Sequence, residues 1–273
     1  MIDLHDTQQE VCARLDTMFL GGGAYALPVR WIADAGGTPD QGDWIEAFRA
    51  GIDACRSKGG RLITTRLVRE QVGLDPAVVA TRAAAFQVIL ERLGFAHESG
   101  RLEFRVPLEE AIARLEPSAA PPRLSWISIE TAPGPGIERA AQVLKAAAEG
   151  DPDSDPEDDA RGFLLARCDD GDLALPPEAL QIGLCDGTDA AIVAASVMPR
   201  TGWCSHYYLG ILPAYRGRGL GVEVMLHGFR TMRAMGGREY HDGTDARNHA
   251  ALSLFRRLGS APQIVMEQWK LTV

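Results

Sequence analysis

The sequence has little of what marks a membrane, secreted or nucleic-acid-binding protein. No apolar stretch approaches the roughly 20 residues that span a bilayer. The start, Met1-Ile2-Asp3-Leu4-His5-Asp6, lacks the basic residues and apolar run of a signal peptide. The expectation is a cytoplasmic protein with no membrane partner. Cysteine is sparse: the 5 residues Cys12, Cys55, Cys168, Cys185 and Cys204 stand at no metal-ligand or redox spacing. An odd, scattered set is no disulfide framework, so these side chains read as reduced and buried. Positive charge is short too. With 28 Lys and Arg against 37 Asp and Glu, the formal charge of -9 argues against nucleic acid as the main partner, since phosphate contacts need concentrated cations. Such a charge keeps a protein soluble and is compatible with a cationic ligand.

What is present is ordinary globular material, 273 residues of which 46% are hydrophobic, enough for two domains. The sharpest break is Pro117-Ser118-Ala119-Ala120-Pro121-Pro122, where proline removes backbone donors and stops helices. It places a linker at 117–123 between a domain at 1–116 and another at 124–273. Beyond it, Leu124 to Ile129 alternates like a strand and Ile137 to Ala148 reads as a helix. Ala179 to Cys185 and Ala190 to Met198 form a hairpin about Asp186-Gly187. A further strand, Cys204 to Leu212, enters a glycine loop, and a helix from Leu220 to Met235 is stopped by Gly236-Gly237. The acidic run Asp151 to Asp159 reads as a solvated loop; it lacks the glycine and glutamate of a calcium loop.

The loop Arg216-Gly217-Arg218-Gly219-Leu220-Gly221 carries the chemistry. Glycines let successive amides converge on one point, and that point is a helix N-terminus, where unpaired amides and the helix dipole favour an anion. Arg216 and Arg218 could add charge-assisted hydrogen bonds to phosphate oxygens. An ATP-type loop is excluded by the missing Gly-Lys-Ser/Thr ending. A dinucleotide fingerprint is disfavoured by the Gly-x-Gly-x-Gly order, although Asp242 lies where a ribose-binding acid would.

Two ordered blocks go further. Ile211-Leu212-Pro213-Ala214-Tyr215-Arg216-Gly217-Arg218-Gly219-Leu220-Gly221, followed by Asn248-His249-Ala250-Ala251-Leu252-Ser253-Leu254-Phe255-Arg256-Arg257-Leu258-Gly259, resembles the coenzyme A loop and second block of the GNAT superfamily of N-acyltransferases. The resemblance covers essentially Leu124 to Val273. It implies an α+β fold, with a mixed, mostly antiparallel central sheet flanked by helices. It further implies acetyl-CoA as co-substrate, no metal, and a small-molecule or peptide amine as acceptor. The implied cofactor-binding residues are Ile211, Arg216, Gly217, Arg218, Gly219, Leu220, Gly221 and Asn248. Asn248 serves equally as a helix cap. The resemblance also implies that the strands before the loop and after its helix, Cys204 to Leu212 and Arg238 to Thr244, splay to admit the thioester arm, with an amide near Ile211 facing the developing oxyanion.

The sequence departs from the family where protons are handled. Phe255 stands where a tyrosine is usual, and the usual acid before the strand end is replaced by the Tyr207-Tyr208 region. The candidate catalytic residues are therefore His206, Tyr207 and Asp242, with Tyr208, Tyr240 and His241 nearby. His241, Asp242, Asp245 and His249 are close in sequence, but three elements would have to converge to make a metal site, and none is expected.

The first half echoes the second. Phe48 to Gly60 resembles Phe229 to Gly237, and Arg82 to Phe95 resembles the second block, followed by a strand-like Arg101 to Val106. This looks like the close of a smaller, partial GNAT copy. Gly21-Gly22-Gly23 lies where the glycine loop would, without the arginine or a preceding strand, so a structural role without cofactor is expected. Read differently, residues 62–106 would be two helices and a hairpin at Glu98 to Arg101, a DNA-binding winged helix. The sequence thus supports an acetyl-CoA-dependent N-acetyltransferase by direct attack, with two alternatives: a non-catalytic acyl-CoA-binding regulator and a DNA-binding regulator.

Overall fold

A computed structural model of the chain describes residues 1–6, 8, 10–21, 23–31, 40–118, 121–130, 136–154, 159–168 and 175–273. These form two compact units, Met1–Leu102 with Gln263–Val273, and Glu103–Pro262. The packing division falls at 102/103, within the strand Ala96–Pro107, and not at 117–123. Pro117 and Ser118 end a short 3-10 turn, Glu116–Ser118, while 119–120 lie outside the described residues.

The first unit holds a three-stranded sheet in the order β1 (Ile2–His5), β2 (Val11–Leu15), β5 (Val29–Trp31). Its second sheet runs β3 (Met18–Gly21), β4 (Ala24–Ala26), β6 (Leu62–Gln71), β13 (Pro262–Thr272), β7 (Ala96–Pro107). Helices α1 (Gln41–Ser57) and α2 (Pro76–Arg92) accompany them. Both helices start where an aspartate can cap: Asp40 accepts from the amides of Gly42 and Asp43, and Asp75 from Ala77. Trp44, Phe48, Phe86 and Phe95 pack into one core with Ile63, Leu67 and Trp269. The chain's last strand belongs here because β13 pairs antiparallel with β6 from Ile264↔Gln71 to Thr272↔Leu62.

Two readings are corrected. Residues 62–71 are a strand, and Ala96–Pro107 runs unbroken through the expected hairpin at 98–101, so residues 62–106 are not a winged helix. Gly21 ends a strand, β3, which pairs antiparallel with β4 through Gly21↔Ala24, so a strand does precede this segment; Gly22 lies outside the described residues. The parallel pair β4/β6 also stays closed: beyond Ala26↔Thr64, Leu27 N donates to Thr64 O at 2.8 Å and Thr65 Oγ1 to Leu27 O at 2.7 Å.

The second unit orders its strands from β7 through β12 (Glu239–Asp245), β11 (Trp203–Ile211), β10 (Thr188–Val197) and β9 (Leu180–Cys185) to β8 (Ser125–Ser128). The turn between β9 and β10 is Asp186-Gly187, both at positive φ, as a two-residue hairpin demands. Helices α3 (Leu108–Leu115), α4 (Gly136–Ala148), α5 (Ala160–Cys168), α6 (Gly221–Ala234) and α7 (His249–Arg257) complete it. Val224, Leu226, Phe229 and Met232 of α6 and the alanine-rich β10 are buried. Small side chains on β10 let helices lie close to the sheet. The mixed, mainly antiparallel sheet flanked by helices is the fold class the sequence implied.

Candidate functional site

Strand β11 meets β12 in parallel only at Trp203↔Glu239 and Cys204↔Tyr240. From Ser205 onward it pairs with β10 alone, as far as Ala191↔Ile211. Leu212 N donates to Ala190 O on the β10 side at 3.0 Å. Strand alternation therefore turns the amides of Leu209 and Ile211 the other way, into the gap between the parted strands.

A carboxylate marks the point of parting. Asp242 Oδ2 accepts His206 N at 3.2 Å, where a backbone carbonyl of β12 would stand in a closed ladder, and Asp242 Oδ1 accepts Gly243 N at 2.8 Å. Tyr240 donates its hydroxyl to the same Asp242 Oδ2 at 2.7 Å, and His206 Nδ1 lies 3.0 Å from that hydroxyl. Since the phenolic proton is committed to Asp242, the hydrogen between that hydroxyl and His206 Nδ1 belongs to the ring, and Nδ1 donates. Nε2 is buried without a partner, aimed at the α6 backbone at Gly228, where an added Cβ would stand 2.2 Å away. Burial and the Asp242 charge raise the Tyr240 pKa well above the ordinary phenol value.

The expected catalytic residues thus fall in three places. His206, 8% exposed, packs beneath α6 against Phe229 and Tyr240 and offers no face to an incoming amine. Asp242 stands half-buried at the mouth of the parting. Tyr207 is the extra residue of a β-bulge: Ala194 pairs with Tyr208 and Ala195 with His206. The bulge breaks the alternation that would put Tyr208 on the His206 face, so Tyr207 and Tyr208 both line a cleft of about 330 Å³ with Leu144, Ala148, Phe163 and Asp153. Phe163 and Tyr207 hold the Arg167 guanidinium at 5.3 Å and 4.8 Å from their rings. Tyr208 lies back over Gly210, whose missing Cβ would meet the ring at 2.5 Å, and donates to Asp151 Oδ2 at 3.3 Å. Burial and Asp151 keep this phenol protonated. Phe255 is buried, stacked on Phe104 at 4.1 Å.

At the gap's other end the glycine loop runs into α6. Gly217 and Gly219 sit at φ +72° and +75°, the left-handed region that favours glycine, and a Cβ on Gly217 would meet nothing within 4 Å. Leu220 is the N-cap and supplies no side-chain bond, so the first-turn amides of α6 open toward the loop. Arg216 faces away from that role. Its Nε donates to Ile211 O at 2.9 Å, Nη1 to Glu149 O at 2.7 Å and Nη2 to Ala147 O at 2.8 Å, tying the loop to the C-terminal end of α4. Arg218 lies over Tyr215 at 5.2 Å, and its carbonyl accepts Arg123 Nη1 at 2.8 Å. Glu223 accepts the amides of Arg123 and Leu124 at 2.9 Å and 2.8 Å. Asn248 caps α7 through Ala251 N at 3.1 Å, and its amide nitrogen reaches Asp151 Oδ1 and Asp153 Oδ2. Sequence reasoning took those two aspartates for solvated loop; residues 155–158 of that run lie outside the described residues. Helix α5 also went unread, its nine residues giving too short a pattern.

Among the described residues no three His, Cys, Asp or Glu side chains gather as metal ligands. His241 pairs with Glu239 at 2.6 Å and stacks on Trp203, Asp245 holds Arg247, and His249 is exposed. No helix among the described residues is long and apolar enough to cross a membrane.

Residues 142–260 match the profile of the acetyltransferase (GNAT) family. A comparison with curated proteins gave no match. Among solved structures, the tandem GNAT protein of the clavulanic acid biosynthesis pathway, without acetyl-CoA, superposes with a TM-score of 0.62 at 14% identity, over 97% of this chain and 80% of that one. A GCN5-related N-acetyltransferase from Sphaerobacter thermophilus gives 0.63 at 14% identity, over 97% and 78%. Another, from Kribbella flavida, gives 0.59 at 16% identity, over 96% and 88%.

Proposed function

We propose that this chain, whose residues 142–260 form a GNAT-family acetyltransferase domain within a tandem GNAT fold, transfers an acetyl group from acetyl-CoA to a primary amine by direct attack. The observation that carries the proposal is the parting of β11 from β12 directly before an uncapped helix N-terminus. The residues fit the donor: glycines at positive φ with open space at Gly217 leave backbone amides free to face a pyrophosphate. The amides of Gly217 to Gly221 and the first turn of α6 would hold the phosphates. The strand-edge amide of Ile211 or Leu209 would polarise the acyl carbonyl. Bound there, acetyl-CoA supplies the activated acyl group: as the C–N bond forms the C–S bond breaks, and the one proton the amine loses balances the one the departing thiolate takes up.

The cleft under Tyr207 and Tyr208 suits the acceptor, a small-molecule or peptide amine, which must arrive uncharged. A covalent detour through Cys204 is disfavoured. Burial first, then Asp242 and Glu239, push that thiol up to about 12, leaving almost no thiolate at neutral pH. None of the five cysteines, all of them described, is in a disulfide, in keeping with a reducing, cytoplasmic setting. The first unit, Met1–Leu102 with Gln263–Val273, would serve a structural role.

Incubation with acetyl-CoA and a broad amine panel should release free thiol and yield an acetylated amine. A second possibility, a non-catalytic acyl-CoA-binding regulator, is favoured by the sequestered Phe255 and His206; it predicts binding of acetyl-CoA with no thiol release from any amine.

A further inference from the structure

Two carboxylates at the end of α4 form a bridge that the donor and acceptor sites leave unexplained. Asp151 and Asp153 sit in a turn of their own, with Asp153 N donating to Asp151 Oδ1 at 3.0 Å and Ser154 Oγ to Asp151 Oδ2 at 3.3 Å. From that turn they reach three elements. Tyr208 of β11 donates its hydroxyl to Asp151. On β12, Thr244 Oγ1 donates to Asp153 Oδ2 at 2.5 Å and Asp245 N to Asp153 Oδ1 at 2.8 Å. At the start of α7, Asn248 Nδ2 donates to Asp151 Oδ1 at 3.1 Å and to Asp153 Oδ2 at 2.9 Å. The turn therefore spans the two strands beyond the point where their own pairing ends.

Two like charges on one turn repel, and the turn persists only because donors converge on both. Asn248 donates to both at once. Its two amide protons go to the carboxylates and its oxygen caps α7, so the side chain is fully committed. We infer that Asn248 is a positioning residue: acting through Asp151 and Asp153, it holds the turn across the parted strands and sets the Tyr208 hydroxyl, and it makes no contact with the acyl donor. This rests on the acyl-CoA reading of the gap, and it assigns to Asn248 a part different from the donor contact that the family resemblance implied.

Two variants separate the roles. Asn248→Asp keeps a strong helix cap but sets a third carboxylate beside the other two, and Asn248→Ser keeps a cap without charge. Hydrogen exchange on the ligand-free protein should speed up about tenfold or more at the amides of Asp153 and Asp245, the order expected from losing two charge-assisted bonds, more in Asn248→Asp than in Asn248→Ser. Exchange at the still-capped Ala251 should stay unchanged. Affinity for adenosine 3′,5′-bisphosphate, which reads the loop alone, should stay within about twofold of wild type. For acetyl transfer, kcat should fall about tenfold or more, with KM for acetyl-CoA little changed. Unchanged exchange at Asp153 and Asp245, or a joint loss of acetyl-CoA and bisphosphate affinity, would overturn the inference; the second result would make Asn248 a donor ligand. If wild-type protein binds neither nucleotide, the acyl-CoA reading itself fails, while the exchange measurement still decides whether Asn248 holds the turn.

Discussion

At Gly228 a missing methyl group makes room for the His206 ring. Alanine would gain about 1 kcal/mol over glycine in a helix interior, but here its Cβ would lie 2.2 Å from Nε2 of a ring held from the other side by Tyr240. Overpacking of this kind costs about 1–3 kcal/mol, so Gly228→Ala should lower the thermal midpoint despite its better propensity. A raised midpoint would show that the ring moves freely. Tyr240→Phe should destabilise by about 1–3 kcal/mol, because Asp242 and His206 Nδ1 then lose a partner inside the protein; denaturant unfolding checks it. The glycine turn at Gly217 and Gly219 and the Asn248 helix cap were legible in the sequence because their signals are local, a turn and a helix start. His206 was misleading because strand alternation gives two faces without saying which is buried. The bulge at Tyr207, which separates the two tyrosines from that face, leaves no mark in one sequence.

Elements are held together here by a few charged side chains at helix ends. Arg216 binds three carbonyls at the end of α4 and the strand end, so Arg216→Ala should cost about 1–2 kcal/mol for an exposed guanidinium at a helix C-terminus. Arg216→Lys, with one donor group in place of the fork, should recover only part of this in urea melts. Between β8 and α6, His227 stacks on Trp126 at 3.8 Å, and burial, then Arg230, lowers its pKa from 6.5 to about 4. The folded state thus refuses a proton that the unfolded chain accepts. Its contribution is fully present above pH 6.5 and shrinks as pH falls toward 4, by up to about 1.4 kcal/mol per unit. His227→Gln should flatten the slope of stability against pH in that window; an identical slope in variant and wild type would refute it. The part played by the acidic turn at Asp151 was unreadable because its partners on β11, β12 and α7 lie 57 or more residues away.

Over the whole molecule there are two compact units, as the sequence led one to expect in number, but packing does not follow chain order. Met266 and Trp269 of the last strand are buried, Trp269 in the core of the first unit, beside strands that come far earlier in the sequence. Such long-range strand pairing has no local signature, since Ile264 to Leu271 reads as a strand without naming its neighbour. Removing residues 263–273 should therefore unfold the first unit, seen as rapid amide exchange over Leu62–Gln71 and early proteolysis between residues 40 and 102. Retained protection there would mean that β13 is dispensable.

The central claim is that the parted strands and the loop at the start of α6 form an acyl-CoA site, and calorimetric titration tests it most directly. Wild-type protein should bind acetyl-CoA with a stoichiometry of one. Gly217→Val, which forces a branched side chain into φ +72°, should abolish that binding while thermal unfolding shifts by only a few degrees. Absence of binding to any acyl-CoA by the wild type, or unchanged affinity in a folded Gly217→Val variant, would contradict it.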